Sequence, residues 1–134
     1  MAIDLDHPDP AYLAFWRERH VCTLTTPRRN GTPHVTPAGV TYDPVAKVAR
    51  VICSGSSTKA GNVLAAGPDG ARVAVCQFDG ARWATLEGRA RVTTDPAAIA
   101  EAERRYTERY GRTPRHNPGR VAIEITVTRA MGRA

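Results

Sequence analysis

The chain has 134 residues, of which 42% are hydrophobic and 24% charged, a balance typical of a folded globular protein. No apolar run reaches the roughly 20 residues of a membrane span, and the acidic first ten residues lack a signal-peptide core, so we expect a cytoplasmic protein. The net charge of +6 favours anionic partners, but the basic residues are spread along the chain without the clustering typical of nucleic-acid binders. A small anionic ligand is therefore the expected partner.

The first predicted element is a helix that Asp9 caps and Pro10 begins, with Tyr12, Phe15 and Trp16 on its apolar side. Alternating or β-branched patterns then predict strands over 20–26, 32–41 and 47–53, with turns at 29–31 and 42–44.

A short helix is predicted after residues 54–59 (SGSSTK), with Ala60, Val63 and Leu64 on its buried face and an end at 67–68. Strands are predicted over 71–78 and 82–93, joined by a hairpin at the Asp-Gly pair of 79–80.

A third helix begins at Asp95-Pro96 and ends at Gly111, and a Pro- and Arg-rich loop over 112–119 precedes a last strand over 120–128. The helix is expected to bury Ile99, Ala102, Tyr106 and Tyr110 and to leave Arg104, Arg105 and Arg109 in solvent.

These elements predict a mainly β fold with about six antiparallel strands and three short helices. A sheet of this size in so short a chain favours a small β-barrel flanked by helices, in a single domain over 1–134 with its core at about 12–128. Cys22, Cys53 and Cys76 lie in strand-like segments without a CxxC spacing, so we expect free structural thiols. The scattered histidines predict no metal site.

The stretch 51–63 (VICSGSSTKAGNV) is the most informative one. A strand ends, small hydroxyl residues follow, and a helix begins with Lys59 in its first turn, which is typical of an anion site. A hydroxyl-rich helix cap with a solvated lysine explains the same residues equally well.

Two further stretches are candidates for ligand contacts. Pro33 and Pro37 within 31–38 predict an edge strand, or a backbone that pairs with a planar ligand, and His34 between them is a possible proton donor. In 76–90, Gln77, Arg82 and Trp83 flank a hairpin where an aromatic ring can cover a ligand or a partner subunit, and Glu87-Gly88 predicts a bulge or a close backbone approach.

Taken in order, these stretches resemble the split β-barrel flavin and deazaflavin oxidoreductases of the pyridoxamine 5′-phosphate oxidase-like superfamily, over about residues 12–128. Within it the sequence is most similar to the actinobacterial branch of F420-dependent biliverdin reductases. The segments that carry the resemblance are RHVCTLTT, VICSGSSTKAGN, QFDGARWATLEGRARV and AERRYTERYGRTPRHNPGRVAIEI.

The resemblance implies an FMN-binding split β-barrel and a homodimer with two cofactor sites at the subunit interface. It further implies hydride transfer from reduced coenzyme F420 to a conjugated acceptor, for which biliverdin, a tetrapyrrole, is the best candidate. Its implied cofactor-binding residues are Pro33, His34, Val35 and Thr36 along the ring, Cys53, Ser54, Gly55, Ser56 and Ser57 around the ribityl chain, Lys59 and Asn62 at the phosphate, and Gln77 and Trp83 from the partner subunit.

No acid is required by the sequence, and His34 and Arg82 are the candidates if one exists. Arginines near the mouth of the site are expected to hold the oligoglutamate tail of F420. An FMN-dependent oxidoreductase of the same fold, and a non-catalytic flavin, deazaflavin or haem carrier, remain alternatives.

Overall fold

A computed structural model describes residues 1–134 and contains eight strands and three helices. The strands are β1 (Ala2–Ile3), β2 (Cys22–Pro27), β3 (Pro33–Ala38), β4 (Val40–Asp43), β5 (Val48–Ser54), β6 (Ala71–Asp79), β7 (Arg82–Thr93) and β8 (Arg120–Arg133). The helices are α1 (Pro10–Arg17), α2 (Thr58–Ala65) and α3 (Pro96–Tyr110). No helix combines the length and apolar character that a membrane crossing would need.

All strand pairs are antiparallel, in the order β3-β2-β6-β7-β8-β5-β4, and β1 adds to β8. The two strands at the ends of this order, β3 and β4, follow each other in the chain and are separated only by Gly39. The hydrogen-bonded ladder is thus open, while the chain itself joins its two ends. This arrangement agrees with the predicted mainly β, split-barrel fold.

The prediction of one strand over 32–41 was wrong, because Gly39 divides it into two strands with different partners. β3 pairs with β2, and β4 pairs with β5. A Cβ atom at position 39 would lie 2.8 Å from a ring carbon of Tyr106, so only glycine allows α3 to approach this crossing. Gly39 and Tyr106 are far apart in the sequence, so local sequence patterns could not predict this contact.

Three other element predictions need correction. The strand count rises from six to eight because β1 is a two-residue strand recruited by β8 and because the strand at 32–41 is divided. The last strand runs on to Arg133 instead of stopping at 128, and α3 has 15 residues and is not short. Leu64, expected on the buried face of α2, is 60% exposed, while Ala60 and Val63 are buried as predicted.

The core is one cluster of 19 buried residues between the concave face of the sheet and the helices. Asp9 caps α1 and Pro10 begins it, as predicted, and the helix buries Tyr12, Phe15 and Trp16. The Tyr12 hydroxyl donates to the backbone oxygens of Thr85 and Met131 at 3.3 and 3.0 Å, and burial raises the pKa of Tyr12 to about 12. The hydroxyl therefore stays protonated as a donor at neutral pH.

The cysteines carry no disulfide, but only Cys22 is buried, while Cys53 and Cys76 are half-buried. Burial raises the pKa of the Cys22 thiol, which keeps it protonated.

Arg109 is a clear departure from the sequence prediction, since it is 7% exposed and not solvated. Its guanidinium donates to the backbone oxygens of Glu18 and Val40 and to the side-chain oxygen of Gln77. It also lies over the rings of Trp16 and Tyr110, at 5.4 and 5.2 Å. Helical periodicity predicted this arginine in solvent. Its burial is possible because three neutral acceptors, from segments distant in the chain, bind the cation.

Glu87-Gly88, predicted as a bulge or a close approach, is both. The register between β7 and β8 shifts between these two residues, and a Cβ atom at Gly88 would overlap the backbone oxygen of Thr126. Only glycine lets the two strands meet here.

Gly88→Ala is expected to lower the free energy of unfolding by about 1–3 kcal/mol, because the added methyl group must displace the β8 backbone. The measurement is chemical denaturation. Gly61→Ala is the control, since nothing lies within 4 Å of a Cβ at this exposed helical position. That variant should be neutral or stabilised by up to about 1 kcal/mol. Equal effects of the two changes would contradict the close approach at Gly88.

Candidate functional site

A cavity of about 550 Å³ lies between the end of β5, the start of α2, the β3–β4 crossing and the loop after α3. We call it the Lys59 cavity. Its lining includes Pro37, Ala38, Gly39, Cys53, Ser54, Lys59, Tyr106, Arg112, Arg115, Asn117 and Arg120. It therefore joins two sequence stretches that were predicted separately as ligand contacts.

The start of α2 supplies positive potential to this cavity. The Ser57 hydroxyl accepts a hydrogen bond from the amide of Ala60 at 3.3 Å and so caps α2. This agrees with the helix cap that the sequence offered as one of two explanations for residues 51–63. The earlier first-turn amides have no partner within the helix, and Lys59 follows directly. Unlike Lys47, which pairs with Asp6, Lys59 forms no ion pair within the chain. A helix cap and an anion site are both compatible with this geometry.

The loop over 112–119 builds the opposite wall, and its contribution was not predicted residue by residue. The Asn117 side chain donates to the Ser54 hydroxyl at 3.0 Å, and the Gly55 amide donates to the backbone oxygen of Gly119 at 2.9 Å. These two bonds fix the loop between β5 and α2 against the loop that precedes β8. The sequence predicted this region only as a Pro- and Arg-rich loop.

Arginines of this loop differ in how they are bound. Arg120 pairs with Glu103 at 2.7 Å and donates to the backbone oxygen of Arg115, so it holds the loop in shape. Arg112 donates only to the Tyr106 hydroxyl, at 3.2–3.3 Å, and the Arg115 guanidinium has no partner in the chain. Two guanidinium groups without carboxylate partners thus border the cavity beside Lys59.

β3 is an edge strand, as its prolines predicted, because it pairs only with β2. His34 and Thr36 lie on the core side of the sheet, opposite Thr26 and Leu24, whereas Pro33 and Val35 face outward. The Nδ1 atom of His34 is buried without a hydrogen-bond partner. The edge leaves backbone groups of β3 free to pair with a ligand.

Asn62 and Gln77 bind protein groups in the structure. The Asn62 amide donates to the Thr26 hydroxyl at 3.0 Å and so ties α2 to β2. Gln77 is 1% exposed, donates to the backbone oxygen of Phe15 at 3.1 Å and accepts from Arg109. Its side chain faces the core and not the surface of the hairpin.

Trp83 lies on the outer face of the sheet beside Phe78, which is 71% exposed. Neither residue borders the Lys59 cavity of its own chain. Trp83 could therefore contact a cofactor only in the site of a second subunit, and its predicted role in cofactor binding stays a prediction.

Arg82 stands in an ion-pair network at the hairpin. It donates to Glu18 at 2.9 and 3.0 Å and to Asp79 at 2.8 Å, and it lies 4.5 Å from the centre of the Phe15 ring. These carboxylates raise the pKa of Arg82 and make it a poorer acid, which weakens its candidacy as a proton donor. Glu18, His20 and Asp79 approach one another closely enough for metal ligands, but Arg82 already neutralises both carboxylates.

Arg82→Gln is expected to raise the pKa of Glu18 from about 2 towards its ordinary value of 4.5, because the hydrogen bonds from Arg82 are the main cause of its depression. Since the folded-state pKa is the lower one, this ion pair stabilises the protein above about pH 4.5, and its contribution is lost as the pH falls towards 2. An NMR titration of the Glu18 carboxyl carbon measures the shift. Arg104→Gln is the control, since Arg104 pairs with Glu101 and Glu108 and not with Glu18. A Glu18 pKa that stays near 2 in the Arg82 variant would contradict the ion-pair network.

The fold is that of a known class. Residues 8–133 match the family model described as pyridoxamine 5′-phosphate oxidase, and the chain belongs to this family. An F420H2-dependent biliverdin reductase of Mycobacterium tuberculosis is 49% identical over 122 residues, which cover 91% of this chain and 85% of that protein. The resemblance seen in the sequence is therefore confirmed.

Solved structures support the fold. A conserved hypothetical protein of Mycobacterium tuberculosis superimposes with a TM-score of 0.75 at 22% identity, covering 94% of this chain and 84% of that one. A structure described as an F420 reductase gives a TM-score of 0.71 at 23% identity, covering 93% and 98%.

Proposed function

We propose that this protein is an F420H2-dependent reductase that transfers a hydride to a conjugated acceptor, with biliverdin as the proposed substrate. The observation that carries the proposal is the Lys59 cavity, which the unpaired Lys59 in the first turn of α2 and the hydroxyl residue Ser54 both border. The 49% identical relative, named for the same activity, supports the choice of cofactor and acceptor.

The phosphate of F420 suits the residues at the start of α2. A phosphodiester carries one negative charge, which one lysine, the first-turn amides and the hydroxyl of Ser54 can bind. Asn117 and the backbone of Gly119 hold the loop that presents these groups. We therefore assign the phosphate to Lys59 and the ribityl chain to 53–57.

Arg112 and Arg115 suit the oligoglutamate tail. They border the same cavity, and neither pairs with a carboxylate of the chain. A planar guanidinium matches a carboxylate by two parallel hydrogen bonds, so these arginines can follow a flexible acidic tail out of the cavity.

The ring of the cofactor is assigned to the edge of β3 over 33–36, whose free backbone groups can pair with a heterocycle. Reduced F420 supplies a hydride at C5 of its ring, so the protein's part is to bind, orient and exclude water. His34 remains the candidate for a proton donor, because its Nδ1 is buried without a partner on this strand.

Lys59→Ala is expected to raise the Kd for F420 at least about tenfold, because a charge-assisted contact of about 1.5–3 kcal/mol is lost. Fluorescence titration of the purified protein with F420 and with FMN, side by side, measures this change. Stability should be unchanged, because no core atom is removed.

Lys47→Ala is the matched control, since it removes the other lysine of the chain at an exposed ion pair. An unchanged F420 affinity in the Lys59 variant would exclude this residue from the site. Tighter binding of FMN than of F420 by the wild-type protein would keep the fold and overturn the proposed cofactor.

We further propose that the protein is a cytoplasmic homodimer in which the hairpin around Trp83 contacts the partner's cofactor. The outer face of β3, β2, β6 and β7 supports this proposal, since α1 and α2 pack on the opposite face. Phe78 and Val35 are 71% and 59% exposed on this outer face, and the half-buried Thr23, Cys76 and Thr85 form the row next to Phe78 and Trp83. Exposed apolar side chains on a sheet face are typical of a subunit interface.

Phe78→Glu is expected to convert the dimer into monomers, because a carboxylate would be buried at the interface. Sedimentation velocity measures the change. Leu64→Glu, at an exposed apolar residue of α2 away from this face, should remain dimeric. A dimeric Phe78 variant, or a monomeric wild-type protein, would contradict the proposed interface.

A further inference from the structure

A second cavity, of about 620 Å³, lies on the outer side of the sheet and is separate from the Lys59 cavity. We call it the Arg72 groove. The β2–β3 hairpin closes one side of it with Pro27, Gly31 and Pro33, and β6 and β7 form its floor with Arg72, Ala74, Glu87 and Arg89. Its volume is large enough for a drug-sized organic ligand.

The floor of the groove places two like charges side by side. Arg72 and Arg89 are direct partners in the β6–β7 register, and both lie on the outer face. Like charges directly opposite each other on neighbouring strands destabilise a sheet. Neither guanidinium has a hydrogen bond or an ion pair within the chain, whereas Arg82, Arg104, Arg105 and Arg120 are all bound to carboxylates.

Glu87 is the one carboxylate on the lining, and it forms no ion pair with either arginine. The groove thus keeps a net positive charge and two free planar donors. Arginine is the side chain best suited to hold a carboxylate by two hydrogen bonds.

The position of the groove connects these arginines with the cofactor site. Pro33, at one end of β3, borders the Arg72 groove, while Pro37, at the other end, borders the Lys59 cavity. The proposed ring lies along β3 between them. A hydride acceptor must contact that ring. The Arg72 groove is the cavity at the Pro33 end of β3, opposite the end that borders the Lys59 cavity.

From this juxtaposition we infer that the Arg72 groove binds the hydride acceptor and that Arg72 and Arg89 hold its carboxylate groups. The acceptor class is an elongated conjugated molecule with acidic side chains. This inference rests on the proposed function, because it takes the ring position on β3 from it. The two arginines position the substrate and are not themselves catalytic.

The experiment uses biliverdin, whose propionate groups are carboxylates, and its dimethyl ester, in which those groups are uncharged. Absorbance titration gives the Kd of each for the full-length protein loaded with F420, and steady-state kinetics with F420H2 gives KM and kcat. The variants are Arg72→Gln and Arg89→Gln. Arg17→Gln is the matched control, an exposed arginine of α1 without a partner and outside both cavities.

The inference predicts that the wild-type protein binds biliverdin at least about tenfold more tightly than the ester, as expected for charge-assisted hydrogen bonds. Each groove variant should raise the Kd and KM for biliverdin by about that factor and leave kcat, ester binding and the Kd for F420 unchanged. Equal affinity of the wild-type protein for acid and ester, or an equal effect of Arg17→Gln, would overturn it. A charge-dependent Kd without turnover would refute biliverdin reduction and still support the groove.

Discussion

The buried guanidinium of Arg109 is the contact on which the arrangement of this protein depends. It binds the end of α1 through Glu18, the β3–β4 crossing through Val40, and β6 through Gln77. Tyr110 adds bonds to the backbone of His20 and Val40. The last turn of α3 therefore joins three segments far apart in sequence. Since the buried cation has neutral acceptors only, loss of any one of them would leave a costly unsatisfied donor.

The crossing that Arg109 holds also sets the geometry of the candidate site. Gly39 lets the chain pass from one end of the sheet to the other beneath Tyr106, so β3 becomes a free edge. The same passage brings Pro37 to the cavity that Lys59 borders at the start of α2. The edge strand β3 and the cationic start of α2 thus become neighbours through one glycine.

The positive charges of the chain differ in how they are bound. Most arginines of α3 and of the hairpin bind carboxylates and stabilise local structure. Lys59 and Arg115 in the Lys59 cavity, and Arg72 and Arg89 in the Arg72 groove, form no hydrogen bond or ion pair through their side chains. The same holds for five arginines that border neither cavity: Arg17, Arg19, Arg29, Arg129 and Arg133. Unpaired cations inside both cavities favour acidic ligands there.

The sequence by itself determined the elements whose signals are local: the capped helices α1 and α3, the hairpin after Asp79, the glycine at position 88 and the hydroxyl-rich loop before Lys59. It also determined the family, because four motifs stood in order along the chain. Tertiary structure alone decided the division at Gly39, the burial of Arg109 and Gln77, the role of Asn117 and the pairing of Arg72 with Arg89. Each of these depends on contacts between residues distant in the chain, which periodicity and propensity do not encode.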